Sequence, residues 1–256
     1  MDDSNLNSIA KFQILESSYP GWNSRTELLL GKEKLNKLTN SKILIVGLGG
    51  VGAVAAEMIC RSGIGNIGIV DSDVFQSSNL NRQVPSLTTN LGIHKADVLA
   101  EKLKAINPEL KLSVHKKYLA NQLIDELLDE NYDYIIDAID TLSPKLYLIY
   151  KSLKRRNKIV SSMGAGGKHD PSLVKISDIS ESYNCRLAFY IRKRLRRLGY
   201  GTGFKVVFSP EEVPEERTLA TNEKNKKTIL GTISYMPAIF GCYCASVVIR
   251  DITGLK

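Results

Sequence analysis

The apolar residues 43–46 run directly into Gly47-Leu48-Gly49-Gly50-Val51-Gly52, and small and apolar residues follow to Cys60. No other stretch constrains the fold as tightly. An apolar run, a glycine turn and an apolar segment of helical length read as strand, turn and helix. In Gly47-x-Gly49-x-x-Gly52 the glycines permit a tight turn, close backbone approach to a phosphate and close helix–strand packing. The helix start offers unpaired N–H groups and the positive end of its dipole to that phosphate. A second strand over residues 67–70 ends at Asp71, 71 − 52 = 19 residues after the last glycine. An acid at that place binds ribose hydroxyls. These features indicate an adenine nucleotide, and they fit NAD as well as ATP. A glycine turn that serves packing only is the alternative.

The alternation continues downstream. Helices are expected over 95–106, 122–128 and 145–155, and strands over 112–115, 134–137 and 159–162. Strands alternating with helices imply parallel β–α–β units. The expected fold is therefore α/β: a Rossmann-like, doubly wound, mostly parallel sheet. The C-terminal half is less regular. Leu187, Ile191, Leu195 and Leu198 share one helical face, and residues 206–208 read as a strand. Residues 211–227, charged and proline-containing, read as a mobile loop. A last apolar helix carries Pro237 near its start, where a missing N–H is tolerated. The expected organisation is an N-terminal arm over residues 1–23 and a single domain over 24–252.

A chain of 256 residues can bury one large α/β core. Its formal charge of +8 suits a polyanionic partner such as RNA. Cys60, Cys185, Cys242 and Cys244 form no C-x-x-C pair, so neither a disulfide scaffold nor a zinc knuckle is indicated. A reducing, cytoplasmic compartment fits. Residues 228–249 carry no charge, and a bilayer span takes roughly 20 residues. Gly231, Pro237 and Gly241 interrupt the stretch, so a buried helix without stable membrane insertion is expected.

The residues after Asp71 separate the nucleotides. They are Asp73, Asn79-Leu80-Asn81-Arg82-Gln83, Gly92-x-x-Lys95 and Asp137-Ala138-Ile139-Asp140-Thr141. A dinucleotide oxidoreductase has no use for two cations and a further acid here. A triphosphate does: arginine and lysine offset its charge, and a carboxylate holds the magnesium that bridges its oxygens. Asp140 follows the carboxyl end of a strand, where ligands of open α/β sheets bind. Each residue alone reads as a solvated charge, whereas the ordered set points to ATP with Mg2+.

The run from Arg25-Thr26-Glu27-Leu28-Leu29-Leu30-Gly31 through Asp140 resembles the ubiquitin-activating-like (ThiF/MoeB-type) superfamily. That resemblance implies an enzyme that adenylates a carboxylate. It implies that Gly47, Gly49, Gly50 and Gly52 hold ATP, with Asp71 on the ribose and Asp73 and Asn79 beside them. Arg82 and Lys95 would contact the phosphates, and Asp140 would bind magnesium. It further implies a homodimer in which an N-terminal arginine, here Arg25, reaches the partner's triphosphate. The implied catalytic set is Arg25, Arg82, Lys95 and Asp140.

Three later stretches are similar to the tRNA threonylcarbamoyladenosine dehydratases. They are Ser161-Ser162-Met163-Gly164-Ala165-Gly166-Gly167-Lys168-His169-Asp170-Pro171, Lys205-Val206-Val207-Phe208-Ser209 and Gly231-Thr232-Ile233-Ser234-Tyr235-Met236-Pro237. The implied substrate is a tRNA with threonylcarbamoyladenosine beside the anticodon. Its carboxylate would be adenylated, and the side chain would then close a five-membered ring without an enzyme nucleophile. One departure is Asn184-Cys185-Arg186-Leu187-Ala188, where family members often have Asp-Pro-Leu-Ala. The sequence names no sulfur-relay partner.

Residues 186–197 hold six Lys/Arg (186, 192, 193, 194, 196 and 197) and no acid. They read as a track for the tRNA backbone. A solvated helix face, or a calmodulin-type or membrane-surface helix, also fits. His94 is a candidate at the phosphates and His169 on the substrate side, while His115 reads as structural. Cys60, Cys242 and Cys244 are expected to be buried, leaving Cys185, beside Arg186, as the one reactive candidate. Three other functions compete: a sulfur-carrier-protein adenylyltransferase acting on a protein C-terminal carboxylate, a non-catalytic tRNA-binding scaffold, and an NAD-dependent oxidoreductase.

Overall fold

The computed structural model describes residues 21–220 and 228–255. Strands form at the expected places: β1 (Lys42–Val46), β2 (Asn66–Val70), β3 (Lys111–His115), β4 (Tyr134–Asp137) and β5 (Ile159–Ser162). β6 (Lys175–Asp178) and β7 (Lys205–Phe208) complete a seven-stranded sheet in the order β3-β2-β1-β4-β5-β7-β6. All neighbours are parallel except β6 and β7. The chain builds outward from β1 through β2 to β3, then returns to β4 on the other side of β1. Strand order thus reverses between β1 and β4, and the crevice at that switch point is where such sheets bind ligands.

Helices cover both faces. On one lie α2 (Lys32–Asn40), α3 (Gly52–Arg61), α4 (Lys95–Ile106) and α8 (Tyr235–Thr253); on the other lie α5 (Asn121–Asp129), α6 (Leu142–Lys154) and α7 (Arg186–Arg197). β1 shows why the strands read as continuous apolar runs. Ile43 and Ile45 enter the first core, Leu44 and Val46 the second, and none of the four is more than 2% exposed. Each such side chain contributes about 1.5–3 kcal/mol by leaving water. α8 is long and apolar enough to cross a membrane. Here it is a packing element: Gly241 lies so close to the Val51 carbonyl that a Cβ would approach it to 2.5 Å.

Three expectations change. Residues 211–227 do not form one loop. Residues 215–217 make a short 3-10 turn, and β8 (Thr218–Ala220) pairs antiparallel with β9 (Thr228–Leu230); residues 221–227 lie outside the described part. β6 was not expected, because a half-exposed edge strand of four residues has little apolar signal. α1 (Ser24–Leu30) and α2 are short helices that the strand–helix alternation does not announce. Residues 1–20 of the expected arm lie outside the described part, and its last three form a 3-10 turn.

Candidate functional site

The glycine turn sits at the switch point, pressed against the loop that leaves β4. Gly47 has φ 87°, and a Cβ there would come 2.8 Å from the Ala138 carbonyl oxygen. A Cβ on Gly52 would collide with the Gly47 carbonyl. One on Gly50 would meet Pro237 of α8 and the Arg82 carbonyl at 2.8 and 2.9 Å. Gly49 differs. The nearest atom to a Cβ built on it is Gln83 Nε2 at 3.8 Å. Packing thus accounts for Gly47, Gly50 and Gly52, and leaves Gly49 as the glycine with open space beside it. Gln83, to which no role was assigned from sequence, is buried there, and its Oε1 has no hydrogen-bond partner among the described residues. Open backbone at Gly49 beside a buried acceptor without a partner among the described residues fits a nucleotide with donor groups.

Asp71, at the end of β2, braces this turn. Its Oδ2 accepts from the Leu48 N–H at 2.6 Å and its Oδ1 from the Asp73 N–H at 2.8 Å. Burial pushes its carboxyl up from the ordinary 3.8. Asp73 pairs with Lys95 at 2.9 Å, and its carbonyl accepts the Lys95 N–H at 3.0 Å. Lys95 therefore starts α4 with its side chain nearly buried and aligned along an acid. Asn79 is a structural staple: its Oδ1 accepts from the Gln76 N–H at 3.1 Å, and its carbonyl accepts from the Arg82 N–H at 3.1 Å. Arg82 uses Nη1 to bond the Ser78 carbonyl and Asn81 Oδ1 at 2.6 and 2.9 Å. Asn81 in turn donates to the Thr232 carbonyl at 2.9 Å, tying this loop to the segment before α8.

Asp140 is exposed on the loop after β4. Beneath that loop lies a network that sequence reasoning missed. Lys145 and Asp137, both 0% exposed, form an ion pair at 2.8 Å. Ser161 of β5 donates to Asp137 Oδ2 at 2.5 Å, the Ile139 N–H to Asp137 Oδ1 at 3.1 Å, and Lys145 Nζ to the Ile139 carbonyl at 2.9 Å. The pair clamps the turn that carries Asp140. The signal was a lysine on the apolar face of the helix, three and four residues before Leu148 and Ile149, and eight residues after a strand-end aspartate (145 − 137 = 8). Among the described residues no three His, Cys, Asp or Glu gather as a self-sufficient metal cage. The edge fits a magnesium shared with phosphate oxygens, for which one protein carboxylate suffices.

Glycine turn, Asp71, Asp73, Lys95, Arg82 and the Asp140 loop thus share the carboxyl edge of the sheet. Arg25 stands apart, exposed on α1, which packs against α2. His94 caps α4 with its Nδ1 buried and unbonded among the described residues. His115 lies 3.9 Å from Glu130. His169 belongs to a brace rather than standing alone. Its Nδ1 is 2.6 Å from Glu211, whose carboxylate also accepts the N–H groups of His169 and Asp170. Arg217 reaches the Gly167 carbonyl at 2.8 Å, and Tyr235 donates to the His169 carbonyl at 2.8 Å. These bonds join the 164–170 loop to the β8–β9 hairpin and the start of α8.

The cysteines reverse two expectations. Cys185 is buried, at the residue before α7, because its side chain packs into the second core. Cys242 is exposed, because it falls on the outer side of α8. Burial pushes the Cys60 thiol up to about 11 and that of Cys244 up to about 12. The basic helix also divides. Arg192 turns inward, donating to the Ser182 carbonyl at 2.6 Å, whereas Arg186, Lys193, Arg194, Arg196 and Arg197 are exposed.

Comparison with known proteins matches residues 23–256 to the ThiF family model. A tRNA threonylcarbamoyladenosine dehydratase of Bacillus subtilis is 35% identical over 237 residues, covering 90% of this chain and 93% of that one. The solved structure of the Escherichia coli tRNA N6-threonylcarbamoyladenosine dehydratase in complex with ATP superposes with a TM-score of 0.83 at 31% identity. It covers 92% of this chain and 96% of that one. An adenylyltransferase and sulfurtransferase of Aspergillus niger is 42% identical over 120 residues, 47% of this chain and 24% of that protein.

Proposed function

The chain belongs to the ThiF family, and from that premise we propose that it is an ATP-dependent tRNA threonylcarbamoyladenosine dehydratase. The observation that carries this is the extent of the likeness. Similarity to the Bacillus dehydratase runs along 90% of the chain, whereas that to the adenylyltransferase and sulfurtransferase covers under half. The site supplies the chemistry. ATP would lie against Gly49, with Asp71 accepting from the ribose and Arg82 and Lys95 facing its phosphates. Magnesium, held by Asp140 together with phosphate oxygens, would neutralise charge there.

The threonyl carboxylate attacks the α-phosphorus, forming an acyl–phosphate bond and expelling pyrophosphate. A nitrogen or oxygen of the same side chain then attacks the activated carbonyl. AMP leaves with the former carboxylate oxygen, and the net change in the nucleoside is loss of water. The second step is intramolecular, so holding the side chain in a reactive geometry supplies much of the rate. The residues of this chain position and neutralise, and none forms a covalent bond.

We further propose a cytoplasmic homodimer in which Arg25 completes the partner's site. Four free thiols suit a reducing compartment. On α1, Leu28 and Leu29 are 76% and 82% exposed beside Arg25, as a helix awaiting a partner surface would be. The direct test is ATP labelled at the α-phosphate, incubated with protein, magnesium and modified tRNA. Labelled AMP should form in proportion to tRNA and not with unmodified tRNA. AMP formation that needs a carrier protein instead would assign the chain to the sulfur-carrier adenylyltransferases.

A further inference from the structure

The exposed side of α7 is not purely cationic. Phe189 and Tyr190 are 50% and 43% exposed on it, edge to face with ring centroids 5.4 Å apart. Ala188, Ile191 and Leu195 form the buried side. Arg186, Phe189, Tyr190, Lys193 and Arg197 recur at helical spacing along the opposite stripe. This puts two aromatic rings between cations over about 16 Å of helix. Lys193 Nζ stands 6.0 Å from the Phe189 ring centroid, and the helix contains no acid. The first turn of α7 packs near the carboxyl end of β5: a Cβ built on Gly164, just past that strand, would lie 4.0 Å from the Leu187 Cβ.

We propose that α7 is a stacking platform for unpaired bases of the tRNA anticodon loop, with Phe189 and Tyr190 under the bases and Arg186, Lys193, Arg194 and Arg197 on the phosphates. This rests on the tRNA reading above. The chemistry favours a loop over a duplex. Paired bases stack on one another and hide their faces, whereas unpaired bases expose a π-face to aromatic side chains. It also disfavours a membrane. An interfacial helix inserts its apolar face into lipid, and the apolar face of α7 is already buried in the core.

The test compares the full-length parent with Phe189→Ala/Tyr190→Ala, Phe189→Leu/Tyr190→Leu and Arg194→Gln/Arg197→Gln variants. The probes are a labelled anticodon stem–loop and a blunt RNA duplex of equal length, titrated at several salt concentrations, with circular dichroism confirming the fold. Both aromatic variants should lose about tenfold or more in affinity for the stem–loop and almost none for the duplex. The arginine variant should lose affinity for both probes and show a shallower salt dependence. Parental stem–loop affinity in the alanine variant, restoration by leucine, or equal loss on loop and duplex would overturn the platform. So would a parent that binds anionic vesicles and not RNA. Cyclised nucleoside from the parent together with unchanged loop affinity in the aromatic variants would remove the platform alone. Selective loss of loop affinity with no cyclised product from the parent would remove the enzymatic reading and leave the platform standing.

Discussion

Asp137 and Lys145 show how much a single contact under the site can matter. Both are fully buried, and each is the other's charge partner. Removing one leaves the other charged in the core, which costs about 3–5 kcal/mol. Lys145→Met is therefore expected to lower unfolding free energy by that amount in a denaturant titration. Asp140→Ala should behave oppositely. On an exposed loop it should cost far less stability than Lys145→Met. If Asp140 holds magnesium as proposed, turnover should fall about a hundredfold or more, because such a ligand stabilises the transition state by several kcal/mol. The glycines allow a second contrast. Gly49→Ala should fold with parental stability, since its Cβ meets nothing nearer than 3.8 Å, and lose affinity for ATP in calorimetry. Gly52→Ala should fail to fold properly, since its Cβ meets the Gly47 carbonyl. At this scale residue types were legible and partners were not. The motif marks six positions from Gly47 to Gly52 as one unit, but only coordinates separate the glycine facing open space from those required by packing. The inward turn of Arg192 and the burial of Cys185 depend on neighbours distant in sequence.

Elements followed the sequence where both local pattern and burial agreed. β1, β2, β4 and β5 read correctly because strands buried on both faces are continuous apolar runs, and the half-exposed edge strand β3 because of its place in the alternation with helices α3 to α6, which keep a helical period. β6, β8 and β9 escaped notice. They are four-, three- and three-residue strands whose existence depends on antiparallel partners rather than on their own composition. α7 was legible as a helix, but its cations are not one set. Arg192 donates to the carbonyls of Ile179 and Ser182 and to the Ser182 hydroxyl, fastening α7 to the turn after β6. Arg192→Ala is thus expected to lower stability by roughly 1–3 kcal/mol, because it strips buried acceptors of a charged donor. Its effect on RNA affinity should be slight. A thermal melt with a parallel RNA titration checks both. Parental stability with a large loss of RNA binding would place Arg192 on the phosphate track.

For the whole molecule, the switch point between β1 and β4 gathers the residues proposed to hold the nucleotide on one edge, while Arg25 remains on a helix outside that cluster. A single chain therefore presents an incomplete version of the implied catalytic set, and two chains could complete it. Mixing Arg25→Ala with Asp140→Ala subunits is expected to recover up to about a quarter of parental activity, because a two-fold assembly formed at random restores one intact site in half of the dimers. A monomer by light scattering, or no recovery after subunit exchange, would count against a shared site. The fold class was legible from alternation alone, but which subunit supplies Arg25 is a property of assembly that no local pattern encodes. The central claim is chemical. Mass spectrometry of nucleosides from modified tRNA, after incubation with protein, ATP and magnesium, tests it most directly. The account predicts ATP-dependent conversion of threonylcarbamoyladenosine to a product lighter by one water, with one AMP per nucleoside converted. An unchanged nucleoside in the presence of folded, ATP-binding protein would contradict it.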